Sequence, residues 1–230
     1  METREVELGY LAHPGGSVPG VVLIPDVRGL YEHYRDLTRR LAGEGFAVLA
    51  ADLYRRGGPP EIATPADAMQ WIRELSDPQV LADVQAAVDV LARELAGRKV
   101  GVTGFCMGGQ YALLAACTCR GLSACVPFYG MLAYGEGLDP RRKPRSPLEA
   151  LPDLGCPVLG LYGEEDLLIP VSDVRRLEEG LARSRHGGRV ILYPGAGHAF
   201  MNDSRPDAYR PEAARDAWPR LVEFLREKLA

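Results

Sequence analysis

The feature that most limits what this chain can fold into is the alternation of short apolar runs with helix-periodic segments along nearly its whole length. The runs are Val6 to Leu11, Val21 to Pro25, Phe46 to Ala51, Val100 to Phe105, Ala124 to Tyr129, Val158 to Tyr162 and Val190 to Tyr193. From Val21 onward they are almost continuously apolar, as strands buried on both faces must be. Between them Tyr34, Leu37 and Leu41 recur at helical spacing, as do Leu81, Val84, Val88, Leu91 and Leu95. Trp218, Leu221, Leu225 and Leu229 repeat the pattern near the end, and Gly43 and Gly97 stand where the first two helices should stop. The expectation is an α/β protein: a mostly parallel twisted sheet with helices on both faces, in one domain over residues 1–230.

Composition narrows the class of partner. A 47% hydrophobic fraction is that of a globular protein with a sizeable core, and a net charge of -4 gives no electrostatic reason to expect nucleic acid or an anionic membrane. No apolar run approaches the ~18 residues needed to span a bilayer. The start, Met1-Glu2-Thr3-Arg4-Glu5, does not have the form of a signal peptide, so a cytoplasmic location is expected. The five cysteines, Cys106, Cys117, Cys119, Cys125 and Cys156, form no CxxC pair, and free thiols are the expectation. Cys117-Thr118-Cys119 has no His or Cys partner at a metal-binding spacing.

One stretch carries chemistry. Gly104-Phe105-Cys106-Met107-Gly108-Gly109 follows a strand and opens a helix, which is the form of a nucleophile elbow with Cys in place of Ser. A turn this sharp forces strained angles on its central residue, and glycines on either side remove the side chains that would collide. The sulfur then stands at a helix N-terminus, where the dipole and free N–H groups favour a thiolate. The Met107 N–H is expected to face the oxyanion of a bound acyl group.

A thiol nucleophile needs a base, and the base an orienting carboxylate. Of the four histidines, His13, His33 and His186 lie in segments that suggest solvated surface positions. His198 follows the last strand in a loop of small residues, Gly195-Ala196-Gly197-His198-Ala199. Gly163-Glu164-Glu165-Asp166 places carboxylates after the preceding strand; Asp166 is the expected acid, with Glu164 and Glu165 as rivals. Asp52 also ends a strand but precedes the nucleophile, so local capping is expected of it. Cys106, Asp166, His198 is the nucleophile–acid–His chain order of α/β-hydrolases.

With these motifs, together with Pro25-Asp26-Val27-Arg28-Gly29-Leu30, Ala51-Asp52-Leu53-Tyr54 and Phe128-Tyr129-Gly130, the chain resembles the dienelactone hydrolase family almost end to end. The resemblance implies an α/β-hydrolase fold, Cys106 as nucleophile, His198 as base and Asp166 as its orienter. It implies the N–H groups of Val27 and Met107 as oxyanion hole, and Asp26 as an acid beside the thiol where the family usually has Glu. It also implies Tyr129, Arg35 and Asn202 near the substrate. Asn202 stands where the family has one of the arginines that clamp a substrate carboxylate, and Glu61 to Gln70, which should hold another, has none. An amide cannot replace a bidentate guanidinium without losing charge-assisted bonding.

Gly130 to Pro157 is the longest irregular stretch, and it carries Arg141, Arg142, Lys143 and Arg145. It is either a solvated surface loop or a partial lid, over residues 131–156, whose charges favour anionic substrates. The chemistry expected is hydrolysis of small esters or lactones through a thioester, with no metal or organic cofactor; the chain is compatible with a monomer or a small homo-oligomer. The alternative is a catalytically silent binding protein or thiol sensor on the same fold. A sensor needs a resolving cysteine, and Cys117 and Cys119 lie at least three helical turns downstream.

Overall fold

The computed structural model describes residues 1–230. Its strands are β1 (Glu2–Val6), β2 (Gly9–His13), β3 (Gly20–Ile24), β4 (Ala47–Ala51), β5 (Val100–Phe105), β6 (Leu122–Phe128), β7 (Val158–Gly163) and β8 (Gly188–Tyr193). The helices are α1 (Glu32–Gly43), α2 (Pro65–Glu74), α3 (Asp77–Glu94), α4 (Met107–Thr118), α5 (Pro147–Ala150), α6 (Val171–Arg183) and α7 (Pro211–Leu229). The strands form one sheet in the order β1-β2-β4-β3-β5-β6-β7-β8. From β4 to β8 every neighbour is parallel, while β2 pairs antiparallel with β4.

Alternate residues of the buried strands serve opposite faces. Val22 and Ile24 pack with α3, α4 and α6, while Val21 and Leu23 pack with α1 and α7. Because both faces are covered, both sets are apolar, which is why these strands appear in the sequence as unbroken runs. No helix is long and apolar enough to cross a membrane.

Three elements differ from the pattern expected of the sequence. Val6 to Leu11 is not one strand but the corner of an antiparallel hairpin, with Val6 opposite Gly9. A Cβ on Gly9 would sit 2.0 Å from the Ala50 carbonyl oxygen, and exposed β1 shows no apolar period that would reveal it. Helices α2 and α6 lie outside the periodic segments. The signal for α2 is a capping box: Thr64 Oγ1 accepts the Asp67 N–H at 3.2 Å and Asp67 Oδ2 accepts the Thr64 N–H at 2.7 Å.

The basic run of the long segment is not an open cluster. Lys143 is buried, its Nζ 2.7 Å from Asp77 Oδ1 and 3.0 Å from Tyr111 Oη. Asp77, also buried, accepts from Tyr111 at 2.9 Å and from Tyr134 at 2.7 Å. Arg142 donates to the Glu74 carbonyl and Arg145 pairs with Asp153 at 2.7 Å, though both, like Arg141, are exposed. The segment is therefore pinned to α3 and α4 by a buried ion pair, and its cations are largely engaged within the protein.

Strand order reverses direction at β3, which has β4 on one side and β5 on the other. Such a switch point opens a crevice at the carboxyl ends of the strands, where ligands of open α/β sheets bind.

Candidate active site

Cys106 occupies the crevice, as the cap residue between β5 and α4. Its φ of 57° and ψ of -119° are unfavourable for any residue with a side chain. What holds it there is backbone packed on backbone. A Cβ on Gly104 would lie 2.1 Å from the Gly108 carbonyl oxygen, and one on Gly108 would lie 2.0 Å from that of Ile24. One on Gly109 would lie 2.3 Å from the oxygen of Phe128. The glycines thus let α4 seat directly on β3 and β6.

The acid and the base arrive from neighbouring strand ends. The turn after β7 is joined to the loop after β8 by Glu164 N–H donating to Tyr193 O at 3.0 Å and Glu165 N–H donating to Ala196 O at 2.9 Å. Gly163 permits this approach, since a Cβ there would be 2.3 Å from Ala196 O. The side chains of Glu164 and Glu165 are turned outward and exposed, whereas Asp166 is buried. Its Oδ2 accepts from His198 Nδ1 at 2.8 Å and its Oδ1 accepts the Leu168 N–H at 2.8 Å. The carboxylate partner assigns the proton to Nδ1, and His198 Nε2 is left buried without a hydrogen bond.

Burial disfavours an imidazolium at His198, but adjacent Cys106 and the Asp166 carboxylate outweigh it and raise the ring to about 10. Cys117, Cys125 and Cys156 are buried, and burial pushes their thiols up, away from thiolate chemistry.

The other expected site residues divide. Tyr129 is buried, with its ring edge-on to His198 at 5.3 Å between centroids. The Val27 N–H has no backbone partner, and the Met107 N–H, at the first position of α4, has no carbonyl four residues back within the helix. Asp26 is buried, but its Oδ1 accepts the Arg28 N–H at 2.8 Å and its Oδ2 accepts from Tyr31 Oη at 3.3 Å; neither oxygen is bonded to the thiol. Asn202 donates to Tyr31 Oη at 2.8 Å and accepts from Ser204 Oγ at 2.6 Å, so its amide supports the Tyr31–Asp26 contact. Arg35 is turned to the sheet edge, bonded to Glu5 and stacked 4.9 Å over the Tyr10 ring. Its place on α1 directs it to β1 and β2, which the sequence did not reveal as a hairpin.

His33 is likewise not a solvated surface residue. Its side chain is 2% exposed and its Nδ1 lies 2.9 Å from Asp203 Oδ1. Flanking Tyr31 and Tyr34, at centroid distances of 6.0 and 4.9 Å, bury the ring. Asp52 caps locally as expected, its Oδ1 accepting the Tyr54 N–H at 2.9 Å.

Burial pushes the Asp26 carboxyl above its ordinary 3.8, against the opposing pulls of the Arg28 amide and the Tyr34 and Tyr31 hydroxyls. An acid whose folded-state value is raised contributes stability below its unfolded value and loses it as pH rises through the folded value. Asp26→Asn is therefore expected to be more stable than the parent at pH 7, with the advantage vanishing below about pH 4. Urea melts at both pH values test this; an equal difference at the two would refute it.

The sheet order, the elbow after β5 and the winding on both sides of it are those of the α/β-hydrolase fold. Comparison with known proteins narrows the class. The model of the dienelactone hydrolase family matches residues 8–229, and the chain belongs to that family. It is 35% identical over 224 residues to "Putative carboxymethylenebutenolidase" of Escherichia coli (strain K12), covering 95% of this chain and 81% of the relative. It is also 35% identical to "Probable 2-oxo-3-(5-oxofuran-2-ylidene)propanoate lactonase" of Bradyrhizobium sp, covering 96% and 90%. The crystal structure of "Putative Dienelactone Hydrolase" from Klebsiella pneumoniae subsp. pneumoniae MGH 78578 superimposes with a TM-score of 0.86 at 35% identity, over 94% of this chain and 91% of that one. The protein is a hydrolase of carboxylic ester or lactone bonds.

Proposed function

We propose that the protein hydrolyses small esters and lactones through a Cys106–His198–Asp166 triad and a thioester intermediate. The observation that carries this reading is the buried Asp166–His198 bond, which leaves Nε2 unpaired beside a thiol held on a strained elbow. The Cys106 thiol gives its proton to His198 Nε2, and the thiolate Sγ forms a bond to the substrate carbonyl carbon as the carbonyl π pair moves onto oxygen. The N–H groups of Val27 and Met107 stabilise that oxyanion. Collapse expels the alkoxide, which takes the proton from His198 Nε2, and leaves a thioester on Cys106. Water then gives a proton to Nε2 as its oxygen attacks the thioester, and the thiolate departs with the second collapse. Because thiolate is the better leaving group, an amide substrate would revert, so esters and lactones are favoured over peptides.

We infer further that the preferred substrates are neutral at the acyl end. Arg35 is held by Glu5, Lys143 by Asp77, and Asn202 by Tyr31 and Ser204, while the charged side chain buried beside the elbow is the acid Asp26. A carboxylate-bearing substrate would meet no free guanidinium among these groups. In a panel of lactones and short-chain esters with and without a carboxylate, kcat/KM for the neutral member of each matched pair is expected to be at least about tenfold higher, roughly one charge-assisted contact. Consistent preference for the carboxylate member would overturn the inference.

A further inference from the structure

We propose that Tyr54 is a positioning residue of the oxyanion hole, its hydroxyl fixing the peptide that follows Val27 while lying against Met107. The proposal rests on the mechanism above, which aims the N–H groups of those two residues at the developing charge.

Tyr54 follows β4 and is buried, with its ring filling the space over Gly29, where a Cβ would come within 2.8 Å of it. Its Oη is 3.0 Å from Val27 O, 3.2 Å from Trp71 Nε1 and 3.5 Å from Met107 Sδ. The direction of each contact follows from chemistry. An indole N–H can only donate, so the phenol oxygen accepts from Trp71. The single hydroxyl proton is then shared between a carbonyl and a thioether, and the carbonyl is much the stronger acceptor. Burial, with the charges of Asp26 and Cys106 nearby, raises the phenol well above its ordinary range, so that proton stays in place.

The consequence is a peptide held at both ends. The Val27–Arg28 peptide has its oxygen bonded to Tyr54 and its N–H bonded to Asp26 Oδ1 at 2.8 Å. The preceding peptide has its oxygen, Asp26 O, accepting the Gly29 N–H at 3.0 Å. With three of the four polar atoms of these two peptides committed, the remaining one, the Val27 N–H, has its direction set without a partner of its own. A donor aimed before the reaction needs no reorganisation during it, which is the source of its catalytic value. Trp71 extends the brace to α2, so the seating of that helix is transmitted to the hole.

Tyr54→Phe removes the hydroxyl alone, and Trp71→Phe removes the donor behind it together with part of the ring that packs on Tyr54. Each is assayed with a neutral ester and with a trifluoromethyl ketone of matching shape, to whose carbonyl Cys106 adds, producing an alkoxide in the same hole. For Tyr54→Phe, kcat is expected to fall about tenfold with KM within about twofold, and ketone affinity to fall in proportion. Trp71→Phe is expected to show the same parallel losses at about two- to threefold, and it supplies the test if the first variant fails to fold. A residue with only a structural role would lower Tm and leave kcat and ketone affinity unchanged, and that result overturns the proposal. If parent turnover survives Cys106→Ala, the mechanism itself fails, and with it this role; Cys106-dependent turnover indifferent to Tyr54 and Trp71 removes the brace alone.

Discussion

Cys106→Ala is expected to lower kcat by about 10⁴-fold or more, and His198→Ala by a similar factor, with the double variant little worse than either. The non-additivity follows from the geometry. Apart from the neighbouring thiol Nε2 has no partner in the protein, so without that thiol it has nothing to deprotonate, and without the imidazole the thiol has no adjacent base. Asp166→Asn should be severely impaired as well, because its two oxygens accept from His198 Nδ1 and from the Leu168 N–H, and an amide cannot serve both roles unchanged. A pH signature accompanies the loss of activity. His198 is raised to about 10 against its own burial, with the Cys106 charge the foremost cause of the rise. The stabilisation from its imidazolium is complete below the unfolded value of 6.5 and lost as pH rises through the folded one. In Cys106→Ala that cause disappears while burial remains, so the ring should titrate well below its parent value. Following the His198 Hε1 resonance against pH in both proteins measures the shift, and identical titrations would mean that thiol and imidazole are not coupled.

Asp77→Ala is expected to destabilise the fold by about 3–5 kcal/mol, measured by urea melts with activity recorded separately. The carboxylate is the shared acceptor for Lys143, Tyr111 and Tyr134, so its removal leaves a buried ammonium and two phenols without their partner. Lys143→Met should cost less, about 2–3 kcal/mol, because Asp77 keeps both phenol donors and the methionine preserves the apolar stem. The order of the two losses is the informative part. If Lys143→Met proved the more damaging, the ammonium rather than the carboxylate would be the organising charge. Amide exchange should rise through residues 131–156 in Asp77→Ala, since the Asp77 N–H also donates to Arg142 O at 2.8 Å.

The parts of this protein legible in its sequence are those governed by local geometry. Strands buried on two faces must be apolar throughout, so β3 to β7 announced themselves, edge strand β8 kept an apolar run at Val190 to Tyr193, and α1, α3 and α7 carried a repeating stripe. The elbow was legible because only glycine tolerates Cβ positions 2.0 to 2.3 Å from a neighbouring carbonyl, and Gly104, Gly108 and Gly109 occur together. Two of the missed elements have a short signal, whereas α6 carries Val174, Leu177 and Leu181 at helical spacing and was legible but overlooked. The α2 helix is marked by a single capping box, and the β1–β2 hairpin has an exposed strand with no period.

Residue partnerships follow a different logic. His33 looked like a surface residue at the start of a helix and is buried against Asp203, 170 positions away. Arg35 and Lys143 looked like free cations and are committed to Glu5 and Asp77. Asn202 could be recognised as the absence of an arginine, but not as a support for Tyr31. The alternation of buried strands with helices and the strained corner at Cys106 were determined by the sequence alone, because each depends on neighbours a few residues apart. Which charges remain free, which carboxylate meets His198 and how Tyr54 ties down the peptide after Val27 were decided only by the tertiary structure, because a polar side chain takes whichever partner the packed fold brings within about 3 Å.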